Sequence, residues 1–100
     1  MKLNISPQFS GYKIKIGNKA KKNLLKIDKN PRIAIVEALE TLPKQAEKLH
    51  IKKLQGYSDL YRVRVGDYRI VFKPMSDQTI LLIALIAHRK DIYKQLVNLI

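Results

Sequence analysis

Residues 60–73, Leu-Tyr-Arg-Val-Arg-Val-Gly-Asp-Tyr-Arg-Ile-Val-Phe-Lys, constrain this chain most. The stretch alternates with period two on both sides of Gly66-Asp67. A two-residue Gly-Asp link between alternating runs predicts a tight β-hairpin. Such a link sets Val65 opposite Tyr68, Val63 opposite Ile70 and Tyr61 opposite Phe72. These apolar and aromatic pairs define one core-facing side. The other side pairs Arg64 with Arg69 and Arg62 with Val71. Like charges directly across a hairpin destabilise it. Two readings follow. Either an anion sits there, since arginine's planar fork suits phosphate, or this is a solvated outer face that keeps the sheet soluble.

The rest of the chain supplies the partners of that hairpin. Residues 1–11 contain Pro7 and Gly11, lack a sustained period and read as a loosely ordered lead-in. Residues 12–16 alternate with lysines outward and predict a short strand near a sheet edge. Asn18 can cap a helix to about Lys29, with Ala20, Leu24, Leu25 and Ile27 as its apolar stripe. Asn30 as cap and Pro31 at the first helical position start a second helix, which Pro43 stops. Its buried face is Ile35, Val36, Leu39 and Leu42. The short connection predicts an antiparallel helix pair. Residues 44–57 are basic and irregular, and Lys52-Lys53 reads either as a phosphate contact or as a solvated linker.

After the hairpin, residues 74–78 predict a turn, and 79–87 a strand apolar on both faces and therefore central. Residues 90–100 predict a short amphipathic helix burying Ile92, Leu96, Val97 and Ile100. The expectation is a single α+β domain over 1–100, with its core at 12–93. Its order is β-α-α-β-β-β plus a C-terminal helix, in a mostly antiparallel sheet.

Charge narrows the partners. Twenty Lys+Arg stand against eight Asp+Glu, a formal net charge of +12. That balance in a small domain calls for a polyanionic partner, nucleic acid first and an acidic protein second. There is no cysteine, and His50 and His88 lack zinc-ligand spacing. We therefore expect no metal and no cofactor. The apolar run 80–87 is too short to cross a bilayer, and no signal-peptide core follows Met1. A cytoplasmic protein without a membrane partner is expected.

The strings LQGYSDLYRVRVGDYRIVF at 54–72 and HRKDIY at 88–93 resemble the RelE/ParE toxin superfamily. More narrowly, they resemble its RelE-type mRNA interferases. The pattern L-x-G-x-x-x-L-Y-R-x-R-x-G-x-Y-R carries the likeness, which extends over about residues 12–93. The resemblance implies a toxin of a type II toxin–antitoxin pair: an endoribonuclease that inhibits translation. It would cleave A-site mRNA on the ribosome without metal, through attack of a ribose 2′-hydroxyl on the adjacent phosphate. A cognate antitoxin would wrap it. By the same likeness Arg69 holds the scissile phosphate, and Arg62 and Arg64 match basic positions on the preceding strand. Arg89 matches the residue tied to the leaving group, and Tyr93 the one that orients the base or helps in proton transfer. Lys52, Lys53, Arg62, Arg64 and Lys90 form the expected RNA-binding set. Guanidinium stays protonated, so Arg62 and Arg64 are poor general bases. His88 can take that role or be a plain structural residue. Relatives that poison gyrase share much of the pattern, and an inactive relative would serve only as a basic binding module.

Overall fold

The computed structural model describes residues 9–99. In chain order these form β1 (Lys13–Ile16), α1 (Asn18–Leu25), α2 (Lys29–Thr41), β2 (His50–Lys53), β3 (Tyr61–Val65), β4 (Tyr68–Met75), β5 (Ile80–His88) and α3 (Ile92–Leu99). A single 3-10 turn, Ala46–Lys48, precedes β2. The α+β class and the element order are as expected, with one strand more.

β3 and β4 form the hairpin with all five expected pairs, Val65–Tyr68 through Tyr61–Phe72. Gly66 has φ +58°, and Asp67 is not among the positive-φ residues. A positive φ at the first central position alone fits a type II′ link, whose twist matches that of the strands. Gly66→Ala should therefore cost about 1–3 kcal/mol, since a Cβ disfavours that conformation. Urea unfolding checks this, and an unchanged midpoint would contradict it.

The sheet runs β1-β5-β4-β3-β2, antiparallel except where β1 lies parallel to β5. β5 has neighbours on both sides and both faces covered, as its continuous apolar run implied. Between the Val71–Leu85 and Phe72–Ile83 pairs the ladder shifts, leaving Ala84 unpaired as a bulge. The bulge puts Ile83 and Leu85 on opposite faces although they are two residues apart. Ile83 and Ile86 face α1 and α2, whereas Leu85 and Ala87 face α3. β1 stops at Ile16, opposite Ile83. Further along β5, the Asn23 side chain of α1 accepts a hydrogen bond from the Ile86 N–H at 3.1 Å. That side chain stands in for the missing strand.

α1 and α2 bury Ala20, Ile35, Ala38 and Leu39 against Ile70, Phe72, Leu81 and Ile83. On the opposite face α3 buries Ile92 and Leu96 against Leu54, Leu60, Val71 and Leu85.

Several expectations change. β2 occupies the stretch read as irregular, because Ile51 packs inward opposite Val63 while its neighbours face out. α2 starts at Lys29 with Asp28 as its cap, so Pro31 sits in the first turn, where its absent N–H is no loss. β4 continues through Pro74 to Met75, and the turn follows it. β3 pairs no further than Phe72, so Pro74 is at a free edge there. Leu25, Val36 and Val97, expected inside, are 68%, 38% and 64% exposed. Residues 1–8 of the lead-in and Ile100 lie outside the described residues. Phe9 is no loose lead-in residue. It is buried, with its ring 5.5 Å from Phe72 at 88° and 6.2 Å from Tyr61 at 79°.

Candidate phosphate site on the arginine face

Side chains of directly paired residues share a face. The register therefore lays out the sheet side away from α1 and α2. Across it run His50, Arg64, Arg69 and Ala87, and next to them Lys52, Arg62, Val71 and Leu85. The apolar end of both rows lies in the cluster under α3. The basic end is open: Arg62 and Arg69 are half-buried, and Arg64, Lys52 and His50 are exposed.

Arg69 is the fixed point. Its Nη1 donates to the Gly66 carbonyl and to the Tyr68 carbonyl, each at 2.9 Å. The guanidinium is thereby folded back over its own hairpin turn. Its pKa is held below the ordinary arginine value, first by desolvation, then by the charges of Arg62, Arg64 and Arg89, with Asp67 opposing. Three further cations thus act on one guanidinium. An arginine remains charged under such pressure, so a further anion beside it would be favoured.

Arg89 arrives from the end of β5. Its N–H donates to the Asp67 carbonyl at 2.7 Å, and its Nε lies 3.5 Å from the Asp67 carboxylate. This exposed pair contributes little to stability, but it ties Arg89 to the hairpin tip beside Arg69. Tyr93, in the first turn of α3, is 58% exposed. It lines a recess of about 360 Å³ with Lys52, Lys53, Gln55, Tyr57 and Arg62. Two phenol rings, two lysines and Arg62 together suit a nucleotide, whose base offers an apolar face and whose phosphate offers charge.

Arg62, Arg64 and Arg69 crowded on one face should make the protein more stable as salt screens their repulsion. Raising ionic strength tenfold should add on the order of 1 kcal/mol, a rise in Tm of about 4–8 °C. A melting series in sodium chloride checks this, and a falling Tm would contradict it.

The chain's likeness to known proteins agrees with this arrangement. Residues 14–93 match the family model described as the ParE toxin of the type II toxin–antitoxin system parDE. The chain belongs to the ParE toxin family. Within the wider RelE/ParE superfamily, it is 38% identical over 60 residues to the RelE1 protein of Methanocaldococcus jannaschii, covering 60% of this chain and 67% of that one. It is 48% identical over 46 residues to the toxin RelE3 of the same organism, 46% of this chain and half the length of that relative. The archaeal RelE–RelB complex from Pyrococcus horikoshii OT3 superimposes with a TM-score of 0.66 and 29% identity, over 78% of this chain and 94% of that one. This chain is thus a RelE-like toxin of the type II toxin–antitoxin class.

Among the residues named from this toxin's sequence, the structure brings Arg62, Arg64, Arg69, Arg89, Tyr93 and Lys52 together. Lys53 reaches the rim of the tyrosine-lined recess, although its register partner is Tyr61 on the other face. Lys90 is exposed in the turn before α3. His88 is not brought to the arginines. It pairs with Tyr68 on the α1/α2 side, ring centroids 5.5 Å apart at 77°. Its Nδ1 accepts the Lys90 N–H at 3.2 Å, and its carbonyl the Asp91 N–H at 2.8 Å. His88 thus shapes the tight turn that presents Arg89. Two residues near the site, Tyr57 and His50, had no site role in the sequence reading. Tyr57 was hidden in a stretch read as linker, and His50 was hidden because β2 was. The signal for β2 was the lone apolar Ile51 between polar neighbours, too short a period to stand out.

Proposed function

We propose that this toxin is a ribosome-dependent mRNA endonuclease, neutralised in its host by a cognate antitoxin. The observation that carries the reading is the convergence of Arg62, Arg64 and Arg89 on Arg69, next to a recess lined by Tyr57 and Tyr93. In-line attack of a ribose 2′-hydroxyl on the adjacent phosphate gathers charge on the non-bridging oxygens. Fixed donors aimed at those oxygens lower the barrier more than they stabilise the ground state. In this reading Arg69 holds the scissile phosphate, supported by Arg64 directly opposite it and Arg62 two residues along β3. In the same reading Arg89, tied to Asp67 at the hairpin tip, offsets the developing negative charge on the 5′-oxygen. Tyr93 is exposed and free to stack on a base. The ribosome would complete the alignment by holding the mRNA in a strained, accessible form.

The antitoxin follows from the family and from the Pyrococcus relative, solved as a RelE–RelB complex. The +12 charge suits both an RNA-rich target and an acidic protein partner.

Primer extension on messages engaged by ribosomes tests this. Cleavage between codon positions should appear when ribosomes, mRNA and the toxin are all present, and not on naked mRNA. The description of the matched family favours one second reading, a ParE-type gyrase poison. Intact mRNA together with covalent gyrase–DNA adducts after expression would replace the nuclease reading with that one.

A further inference from the structure

The proposed cleavage needs a group to take the 2′-hydroxyl proton, and the arginines cannot do so because they never give up their own. The family likeness left His88 as a possible base, but the register turns it to the opposite side of the sheet, against Tyr68. The same register puts the other histidine in its place. His50 of β2 is directly opposite Arg64, which is directly opposite Arg69. Strands lie about 4.8 Å apart, so His50 stands roughly two strand spacings from the Arg69 backbone. Arg64, directly across from His50, stands between it and Arg69. His50 is exposed on an edge strand.

On the inference that the site cleaves RNA, we propose that His50 is the proton acceptor for the attacking 2′-hydroxyl. The step balances as follows. The 2′-oxygen–phosphorus bond forms while the phosphorus–5′-oxygen bond breaks. The neutral His50 imidazole takes the 2′-hydroxyl proton, and a solvent water protonates the departing 5′-oxygen, leaving a 2′,3′-cyclic phosphate. Of the side chains that the register aligns on this face, His50 alone can change charge between about pH 5 and 8. The charged groups facing it are Arg64 directly across, Arg62 on the diagonal and Lys52 two residues along its own strand. All are basic side chains, and none offers a competing carboxylate. Asp67, an acid near the arginines, is engaged with Arg89.

The test is single-turnover cleavage of mRNA on programmed ribosomes, read across pH 5.5 to 8.5 (a range set by imidazole titration). His50→Gln should lower the rate by about 10²–10⁴-fold near neutrality and flatten the rising limb of the wild-type pH profile. Its affinity for ribosomes should not change. In His50→Ala, added free imidazole should restore part of the rate. A His50→Gln protein that cleaves at the wild-type rate with the wild-type pH profile overturns the proposal. So does a slowed variant that keeps the pH limb and gains nothing from imidazole, because that marks a structural role. Wild-type protein that leaves ribosome-bound mRNA intact overturns the nuclease reading itself, and His50's role with it.

Discussion

On the proposed nuclease reading, an Arg69→Ala variant should lose ribosome-dependent cleavage by at least about 10²–10³-fold, the cost of removing one donor from an oxyanion-type site. The fold should survive it. The two hydrogen bonds of Arg69 go to the Gly66 and Tyr68 carbonyls near the exposed turn. Water replaces those donors at little cost. Alanine also removes one partner of the Arg64–Arg69 pair, whose like charges oppose hairpin formation. The melting temperature should therefore stay level or rise slightly while activity collapses. Arg69→Lys should fall between, since it keeps the charge but loses the planar fork. The measurement is single-turnover primer extension beside a thermal melt. An active Arg69→Ala protein would remove Arg69 from the centre of the site.

Phe72→Ala gives the opposite result, with stability lost first. Phe72 is fully buried in β4 between the helix pair and the hairpin. Its ring stacks on Tyr61 at 5.5 Å and 20° and meets Phe9 edge-on. Truncation leaves a cavity and strips both neighbours of their partner. Buried Phe→Ala changes cost about 3–5 kcal/mol, out of a total of about 5–15 for a domain. For a chain this size, that is a drop in Tm of about 12–40 °C. Phe9 should lose its anchorage as well, seen as faster amide exchange around Tyr12. A variant melting within a few degrees of wild type would mean that the aromatic cluster contributes far less than its burial implies.

Those two residues were both legible in the sequence, for the same reason. Period-two alternation around a Gly-Asp link determines pairing and facing together, so Arg69 and Phe72 could be assigned to opposite faces of one strand. The central position of β5 was legible from its unbroken apolar run. Its bulge was not, because a run apolar on both faces reads the same with or without an extra residue at Ala84. β2 escaped because four residues with one inward apolar side chain carry too little period. With it went the placement of His50, which depends on a cross-strand neighbour rather than on anything local. The helix stripes were right at Ala20, Ile35 and Leu39. They were wrong at Leu25, Val36 and Val97, which are exposed.

The folded-back posture of Arg69 has one more consequence. A free arginine side chain samples many rotamers, and immobilising it costs entropy whenever it is done. Here two carbonyls of its own turn immobilise it as the chain folds. An arriving anion therefore meets a receptor already frozen in place and loses less of its binding free energy to ordering it.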